Sequence, residues 1–514
     1  MSTHGIRLHP NTYLDSVKLL VGSRAILETP GIEWGAAVTG TPTNVEVLIH
    51  EGFRADELAN VGANDLVIAA RGEQAELALA NAETALFSVP GTSSAASAGP
   101  SIRSIEETAI LPNSPNVAVI SVGGDYAALE AHKALTASMN VLLFSDNVPL
   151  EDEVDLKSRA AAAGLFMMGP GAGTAVIGGV GLGFANAVRT GPVGIVAAAG
   201  TGAQEVMSLI DRAGLGVTQV IGVGGRDLSE AVGGIMTAHA IRSLEDDPAT
   251  EVILLVSKPP SAEVSRKLLN RPAVKPLVAT LIGLREPIEV PAHVTLTSSL
   301  EEGVVAVTAA IGGHFSPIDE DLLGRTSDAL AKVDTSRTAI RGLFSGGTLC
   351  FEAMTLMLEQ GLSVYSNTPL QPEWDVAVAP PSAHVCLDLG EEEYTRGRPH
   401  PMIDPAARLE RIVQEGTNPH TAVVLIDVVL GYGSHDDPAG QLAPACADVI
   451  AIDGGPQVVA YVLGTEGDPQ GLAGQRKKLE DVGCIVAATN ARAALTATAI
   501  ATRTPAISQS RSAM

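Results

Sequence analysis

The segments GTGAQEVMSL (residues 200–209) and GTLCFEAMTL (residues 347–356) share the pattern G-T-x3-E-x-M-[ST]-L. The match continues at the same spacing to GLGV at residues 214–217 and GLSV at residues 361–364. Each copy follows an aliphatic run, so the repeated unit is strand, glycine-rich turn, helix, glycine cap and strand. A repeat of this kind predicts two related α/β units within one polypeptide.

Outside the repeat, the chain shows the same alternation of aliphatic runs and helical patterns. It predicts an α/β protein of three units with parallel sheets, preceded by a small N-terminal α/β region. In that region, Thr41 followed by Pro42 predicts the start of a helix. The predicted boundaries are an N-terminal region at 1–90, a linker at 91–115, units at 116–190 and 191–315, a linker at 316–337, a unit at 338–502 and a disordered tail at 503–514.

Composition and charge restrict the classes of partner. The chain has 514 residues, 46% of them hydrophobic but 3% aromatic, which is typical of layered α/β proteins with aliphatic buried strands. The formal net charge of −25 argues against nucleic acid or a membrane surface as a partner, because both require a basic surface. The four cysteines form no CxxC motif, so neither a disulfide scaffold nor a metal site is expected. Without a signal pattern or an apolar run of ~18 residues, we expect a soluble, cytoplasmic protein.

The glycine-rich turns before the two repeated helices are candidate phosphate sites. The first amides of a helix lack internal partners, and the helix dipole favours an anion beside them. Two such ends facing one another would hold one phosphate or carboxylate even in an acidic protein. The alternative is that these turns are ordinary Gly-Thr helix starts of a doubly wound fold. The candidate phosphate-binding residues are Gly200, Thr201, Gly202, Gly346, Gly347 and Thr348.

Glu205 and Glu352 occupy matching positions, one turn into the two repeated helices. A carboxylate near a helix N-terminus is stabilised by the helix dipole, which would make both residues structural. The other interpretation is catalytic, with each carboxylate orienting a cationic or N–H-bearing group of the ligand.

Three further side chains are candidate catalytic or substrate-binding groups. Arg226 follows a Gly-Gly turn in an acidic chain and is a candidate partner for a substrate carboxylate, with a surface ion pair as the alternative. Arg398 offers a similar fork for a carboxylate or phosphate. His400 lies between two prolines and is a candidate acid or base, the alternative being a structural Pro-rich turn.

Several stretches resemble the FdrA family, which is similar to the nucleoside-diphosphate-forming acyl-CoA synthetases such as succinyl-CoA synthetase. They include FSDNV at 144–148, GGRDLS at 224–229, VSKPP at 256–260 and GRPHPMIDP at 397–405. The resemblance runs across almost the whole chain. It implies a Rossmann-like, CoA-binding-type domain at 116–190 and flavodoxin-like, ligase-type domains at 191–315 and 338–502. In the first domain the candidate cofactor-binding residues are Gly123, Gly124, Ser145 and Asn147, with CoA as the implied cofactor.

The chain departs from the synthetases in two respects. None of its eleven histidines lies in the Gly-His-Ala-Gly context of the synthetases' phosphohistidine, and no ATP-grasp region is recognisable. It also has Gly171-Ala172 where FdrA proteins have Asp-Cys. ATP-driven thioester synthesis by this chain alone is therefore not expected.

The resemblance implies a specific function. FdrA-like proteins act in oxamate carbamoyltransferase, which interconverts oxalurate plus phosphate with oxamate plus carbamoyl phosphate in allantoin catabolism, together with companion subunits. Phosphate or carbamoyl phosphate between the helix ends would fit a chain without a phosphohistidine. The alternatives are an acyl-CoA synthetase that binds CoA and a non-catalytic scaffold subunit. The expected partners are phosphate, a small ureido or amide acid and companion subunits.

Overall fold

The computed structural model describes residues 3–12, 14, 16–87, 102, 104–108, 111, 113–272, 274–319, 321–395 and 399–510. The chain divides into two compact units, which we call the N-terminal unit and the larger unit. The first is Met1–Arg103 with Arg396–Pro399, and the second is Ser104–Thr395 with His400–Met514.

The N-terminal unit is a three-stranded sheet with helices. Its strands pair in the order β1-β3-β2, and both pairings are antiparallel. The helix start predicted at Thr41 is confirmed: the Thr41 side chain accepts a hydrogen bond from the Asn44 amide, and Pro42 is the first helical residue. The elements are β1 Thr3–His9, α1 Ser16–Leu27, β2 Ile32–Thr39, α2 Pro42–His50, α3 Ala55–Leu58, β3 Leu66–Gly72 and α4 Ala75–Phe87.

The larger unit begins with a short parallel sheet in the order β4-β5-β6. Its strands are two to four residues long and alternate with helices, as the βα pattern of the sequence predicts. The elements are α5 Ile105–Thr108, β4 Val117–Ile120, α6 Gly124–Thr136, β5 Asn140–Leu143, α7 Leu150–Ala162 and β6 Met167–Met168.

A seven-stranded sheet follows, in the order β13-β12-β11-β9-β10-β7-β8. Strands β13 to β10 are parallel, and the hairpin β7-β8 adds two antiparallel strands at one edge. The elements are β7 Thr174–Ile177, β8 Val180–Gly183, β9 Thr190–Ala198, α8 Gly200–Arg212, β10 Val217–Gly222, α9 Ile235–Asp246, β11 Val252–Ser257, α10 Ala262–Leu269, β12 Leu277–Leu281, β13 Val294–Thr297 and α11 Leu300–Ala310.

The second repeat forms a six-stranded parallel sheet in the order β15-β16-β14-β17-β18-β19. The elements are α12 Leu322–Lys332, β14 Ala339–Phe344, α13 Gly347–Glu359, β15 Val364–Tyr365, β16 His384–Asp388, α14 Glu392–Thr395, α15 Ala406–Thr417, β17 Thr421–Val429, α16 Pro438–Ile450, β18 Gln457–Leu463, α17 Leu472–Asp481, β19 Ile485–Ala487 and α18 Asn490–Ala501. Two short 3-10 helices, Pro372–Trp374 and Val376–Val378, connect β15 to β16.

The two larger sheets share a five-strand order, although β15, the strand that follows the second repeated helix, lies at the edge beyond β16 rather than beside β14. The order β10-β9-β11-β12-β13 corresponds strand for strand to β16-β14-β17-β18-β19, the doubly wound order of flavodoxin-like folds. Pairing registers agree as well, because Gly222 lies opposite Ala197 in one sheet and Asp388 lies opposite the equivalent Phe344 in the other. The predicted α/β class and the two related units are therefore confirmed.

One hydrophobic core joins the two repeats. It contains residues of α8 such as Val206 and Leu209, residues of α13 such as Ala353 and Met354, and strand residues of both sheets. Every residue of β17 and of α18 is buried, which explains why their sequences read as continuous apolar or small-residue runs. Because burial of apolar area drives packing, the shared core fixes the positions of α8 and α13 relative to one another.

Two predicted boundaries are corrected by the structure. Residues 316–337, predicted as a linker, contain α12, which buries Leu322, Thr326 and Ala329. The exposed side of this stretch is polar, so its overall composition did not show that the other side is buried. The predicted tail at 503–514 contains the 3-10 helix Pro505–Gln509, with Ser508 buried. Within the predicted linker 91–115, residues 105–108 form α5, and residues 91–101 lie outside the described residues. In the described part of the chain, no helix is long and apolar enough to span a bilayer.

A buried ion-pair network joins α7 to the loop after β10. The Lys157 ammonium is fully buried and lies 2.7 Å from Glu153 Oε1 and 2.8 Å from Asp227 Oδ1. It also donates a hydrogen bond to the Val223 carbonyl. Asp227 Oδ2 in turn accepts the amide and hydroxyl of Thr237 near the start of α9.

Replacing Lys157 with Met should destabilise the larger unit strongly. Removing one member of a buried ion pair costs about 3–5 kcal/mol, because the buried Asp227 loses its ion-pair partner and Glu153 keeps only Arg226. The change is measured as the fall in the midpoint of thermal unfolding. Lys133→Met is the matched control, since Lys133 pairs with Glu130 where both are about one-third exposed, and such pairs are worth about 0–1 kcal/mol. Equal shifts in both variants would contradict a structural role for the buried network.

Candidate functional site

A cleft in the larger unit has a volume of about 640 Å³. It lies where α8 and α13 begin, beside the carboxyl ends of β9, β10 and β16, which is where doubly wound folds bind ligands. Of the residues predicted from the sequence, the cleft is lined by Asn147, Gly200, Thr201, Arg226, Gly347, Thr348 and His400.

The N-termini of α8 and α13 meet in this cleft. The Thr348 amide donates a hydrogen bond of 3.1 Å to Thr201 Oγ1. These two threonines are equivalent residues of the repeat. Gly202 and Gly346 do not line the cleft, but they permit this approach: a Cβ at either position would lie 3.0 Å from the methyl group of the opposite threonine.

The two helix ends differ in what lies beside them. A Cβ at Gly347 would lie 2.2 Å from Asp388 Oδ2 and 3.2 Å from Lys258 Nζ, so both charged groups come close to the start of α13. A Cβ at Gly200 would have one neighbour within 4 Å, Thr174 Oγ1 at 4.0 Å. The start of α8 therefore opens into the cleft, with room for an anion.

Asp388 and Lys258 are cleft residues that the sequence analysis did not single out. Asp388 is 3% exposed, and burial raises the pKa of its carboxyl to about 6, although the positive charge of Lys258 opposes the shift. The Gly390 amide donates to Asp388 Oδ1 at 3.0 Å and orients the carboxylate. The residue at the same position of the first sheet, Gly222, has no side chain. Asp388 is the last residue of β16, and Lys258 directly follows β11. This position at the carboxyl end of a strand is the signal that could have identified both residues.

Asp427 holds the turn that precedes α13. Its Oδ1 accepts the amide and hydroxyl of Ser345, at 2.8 and 3.0 Å, and its Oδ2 accepts the Gly346 amide at 2.8 Å. Arg408 Nη2 lies 3.0 Å from Asp427 Oδ1 and neutralises this buried carboxylate. Asp427 of β17 therefore fixes the conformation of this turn.

His400 is placed in the cleft as a hydrogen-bond donor. Its Nδ1 accepts the Met402 amide at 3.2 Å, so the neutral ring carries its proton on Nε2. Burial lowers the pKa of His400 to about 4, and the ring is neutral at physiological pH. With this protonation the ring offers an N–H group to the cleft, and the role of His400 as an acid or base stays a prediction.

The two predicted arginines have different outcomes. Arg226 lines the cleft and is about half exposed, but its Nε lies 2.8 Å from Glu153 Oε2 and its Nη2 donates to the Val148 carbonyl at 2.8 Å. This is the ion pair that was the alternative interpretation. Arg398 lies outside the described residues.

Glu205 and Glu352 do not line the cleft. Both are 1% exposed and lie in the interface between the repeats. Glu205 Oε2 accepts the Tyr461 hydroxyl at 2.5 Å, and Glu352 accepts the Leu300 amide and the Asn490 side chain. Burial raises the pKa of Glu205 to about 7 and that of Glu352 to about 8. The sequence placed them correctly along their helices, but the catalytic interpretation is corrected because their carboxyls face the core.

The predicted cofactor residues near β4 and β5 are mostly structural. Ser145 Oγ donates to the Val122 carbonyl at 2.5 Å, and Gly124 packs so closely that a Cβ would lie 2.5 Å from the Asp146 carbonyl oxygen. Asn147, with a positive φ of 59°, lines the cleft, whereas Gly123 and Ser145 do not.

Comparison with known families agrees with this architecture. Residues 343–500 match the CoA-ligase family, and residues 188–282 match the CoA-binding domain family. The second match falls in the first flavodoxin-like unit, not in residues 116–190, where the CoA-binding-type domain was predicted. Residues 1–100 match the AllF heavy metal-associated domain.

The similar proteins cover different shares of the chain. The uncharacterized protein YahF of Escherichia coli is 40% identical over 509 residues, covering 96% of this chain and 97% of YahF. The alpha subunit 2 of an ADP-forming succinate–CoA ligase of Archaeoglobus fulgidus is 28% identical over 34% of this chain and 60% of its own length. Among solved structures, the apo form of the dinucleotide-forming acetyl-coenzyme A synthetase 1 of Ca. Korarchaeum cryptofilum aligns with 15% identity and a TM-score of 0.31, over 78% of this chain and 86% of that one.

The fold and the family matches define an acyl-CoA-synthetase-like protein of the succinyl-CoA synthetase type. Within that class, the chain belongs to the FdrA/AllF-like family that includes YahF.

The residues of the N-terminal unit do not fit a soft heavy metal. Thiolates are the ligands that select such metals, and the first cysteine of the chain is Cys350. Among the described residues, no three His, Cys, Asp or Glu side chains converge in an arrangement that could hold a metal ion.

Replacing Glu205 with Gln should remove part of the pH dependence of stability. The pKa of Glu205 is about 7 in the folded protein and about 4.5 when unfolded, so the folded state binds its proton more tightly. Stability from this group is therefore lost as the pH rises from about 4.5 through 7. The groups that influence this titration are Tyr461, Arg212, Glu301 and Glu352.

The measurement is the midpoint of thermal unfolding at pH 5 and pH 8. We expect the Gln variant to lose less stability than the unaltered chain between these values. Glu251→Gln, at an exposed position, is the control and should leave the pH dependence unchanged. An identical pH dependence in Glu205→Gln and the unaltered chain would rule out this assignment.

Proposed function

We propose that this chain is an acyl-transferring subunit of the acyl-CoA-synthetase type. In this proposal the cleft holds the phosphoryl group of an acyl phosphate, and the acyl group passes between that phosphate and the thiol of CoA. The observation that carries the proposal is the meeting of two helix N-termini at Thr201 and Thr348, with Lys258 beside them. In a chain of net charge −25, the two helix N-termini and Lys258 concentrate positive charge at one place.

The start of α8 is the better of the two helix ends for the phosphoryl group. It opens into the cleft, whereas the Asp388 carboxylate already lies beside the start of α13. Backbone amides and a helix dipole stabilise an anion at α8, and the Lys258 ammonium adds a full charge. Lys258 also lies 5.6 Å from the centre of the Phe351 ring, which favours its position at the cleft wall.

The transfer step follows from the groups present. The thiol sulfur attacks the acyl carbon as its proton passes to Asp388, the C–S bond forms, and the bond from carbon to the phosphate oxygen breaks. Phosphate leaves with that electron pair and stays at the helix end. A carboxyl with a pKa of about 6 is ionised at pH 7, so Asp388 is suited to accept this proton. The Nε2–H of His400 would donate to the carbonyl oxygen as it gains negative charge.

The relatives support the class of reaction. Curated relatives of parts of the chain are named as ADP-forming succinate–CoA and sulfoacetate–CoA ligase subunits, although the chain spans about 60% of the length of each. The sequence lacks the phosphohistidine context and a recognisable ATP-grasp region, so we propose that nucleotide chemistry belongs to companion subunits. This chain would then use a preformed acyl phosphate, or make one from a thioester and phosphate.

Carbamoyl transfer is the more specific candidate. Phosphorolysis of oxalurate to oxamate and carbamoyl phosphate would place a carbamoyl group where the acyl group lies in the general proposal. The observation that favours it is the pair of carboxylates, Asp388 and Glu391, at the cleft wall, because both accept the N–H donors of a carbamoyl group.

The deciding experiment is phosphate-dependent turnover. The full chain, alone and with the products of neighbouring genes, is incubated with labelled inorganic phosphate and either an acyl-CoA or oxalurate. Labelled acyl phosphate supports the general proposal, and labelled carbamoyl phosphate supports the specific one. Absence of both products with every subunit present would contradict the proposed function and favour a scaffold.

Replacing Gly200 with Val should abolish phosphate-dependent turnover with little loss of stability. The new side chain would project into open space at the start of α8 and take the volume of the anion. Gly347→Val is the comparison variant, since its side chain would collide with Asp388 and should lower both activity and the unfolding midpoint. Normal phosphate affinity in Gly200→Val would place the anion elsewhere.

Replacing Asp388 with Asn should lower kcat by roughly 10²- to 10⁴-fold, the usual contribution of a positioned base. Phosphate affinity should be retained, because the side-chain carbonyl of the variant would still accept the Gly390 amide and the neutral side chain would repel an anion less. Turnover of the unaltered chain should fall below about pH 6 as Asp388 becomes protonated. A variant with unchanged kcat, or with the same pH profile, would show that another group takes the proton.

A further inference from the structure

A second cavity, of about 400 Å³, lies at the opposite end of α8 from the cleft. It is lined by Arg212, the last residue of α8, by Arg476 of α17, and by Leu472 and Ala473 at the start of α17. Since α8 has 13 residues, its two ends are about 18 Å apart. The cavity is therefore distinct from the cleft.

The two arginines are anchored side by side. Arg212 Nη1 donates to the Ala488 carbonyl at 2.8 Å, and Arg476 Nη1 donates to the neighbouring Ala487 carbonyl at 3.0 Å. Burial lowers the pKa of Arg476, and the charge of Arg212 lowers it further, which shows that the two guanidinium groups repel one another. An anion between them would offset this repulsion.

Two of the three carboxylates around the cavity have partners other than the two arginines, and the third, Glu480, lies near Arg476. Asp319 pairs with Arg325, and Glu466 Oε1 accepts the Ala473 amide at 2.7 Å. Glu480 Oε1 lies 3.5 Å from Arg476 Nη2, at the limit of a hydrogen bond. Among the ion pairs formed by described residues, none includes Arg212, although its charge acts on the buried Glu205 and Tyr461.

We infer that this cavity is an anion site that binds the phosphoryl or carboxylate group of a small metabolite between Arg212 and Arg476. Guanidinium groups bind both classes of group in a planar, two-point manner. The inference does not depend on the proposed function, because it involves none of the cleft residues.

The test measures binding of inorganic phosphate and of malonate to the full chain by titration calorimetry. The variants are Arg212→Gln and Arg476→Gln, which keep an N–H donor for the carbonyl of Ala488 or Ala487. Each variant should lower the affinity for the anion at one class of sites at least tenfold, because losing a charge-assisted contact costs about that much or more. Lys477→Gln is the matched control, because Lys477 is 71% exposed on the same helix and should not change binding. The anion that binds more tightly identifies the phosphoryl or carboxylate source.

Gly200→Val separates this site from the cleft: it should remove the cleft's phosphate binding and leave the Arg212 site intact. Unchanged affinity in both arginine variants would overturn the inference, as would an equal loss in Lys477→Gln. Should an arginine variant fail to fold, crystals of the unaltered chain soaked in selenate decide the question. An anomalous peak between the two guanidinium groups supports the site, and its absence overturns it.

Discussion

The contact between the first turns of α8 and α13 is the constraint on which the site depends. The Thr348 amide and Thr201 Oγ1 meet because the two helices are buried in one core shared by both sheets. Separating the helices would expose the apolar residues along their lengths, so the polar ends are held together by packing rather than by their own single hydrogen bond. Amides that would otherwise face water in two separate domains are thereby concentrated in one cleft.

The paired helix ends are related by the repeat, but the charged groups beside them are not. The first repeat contributes Lys258, and the second contributes Asp388 and His400. Gly222 lies at the position of Asp388 in the first sheet, so one half leaves space where the other has a carboxylate. A transfer reaction has a donor and an acceptor with different needs, and a fused pair of repeats can meet them because each half varies independently.

The same asymmetry extends into the interface beneath the cleft. Glu205 and Glu352 are equivalent in the repeat, yet one accepts a tyrosine hydroxyl and the other a backbone amide and an asparagine. Both carboxyls are buried close enough to influence one another's pKa. Their raised pKa values thus result from the joining of the halves, and neither half alone would produce them.

The sequence by itself determined the class of fold, the presence of two related units and the two helix starts that meet in the cleft. These are local properties, because strand and helix periodicity, glycine turns and caps such as Thr41 act within a few residues. The polar composition of residues 316–337 led to the incorrect prediction of a linker, because the buried side of α12 is narrow.

Tertiary structure alone decided which side chains the helix ends meet. Lys258 and Asp388 lie in different repeats and approach the same glycine, Gly347, only because two sheets pack on one core. For Glu205 and Glu352, the sequence predicted the positions along the helices but not the direction in which the side chains point. The face of a helix that is buried depends on what packs against it, and the residues that pack here come from distant parts of the chain.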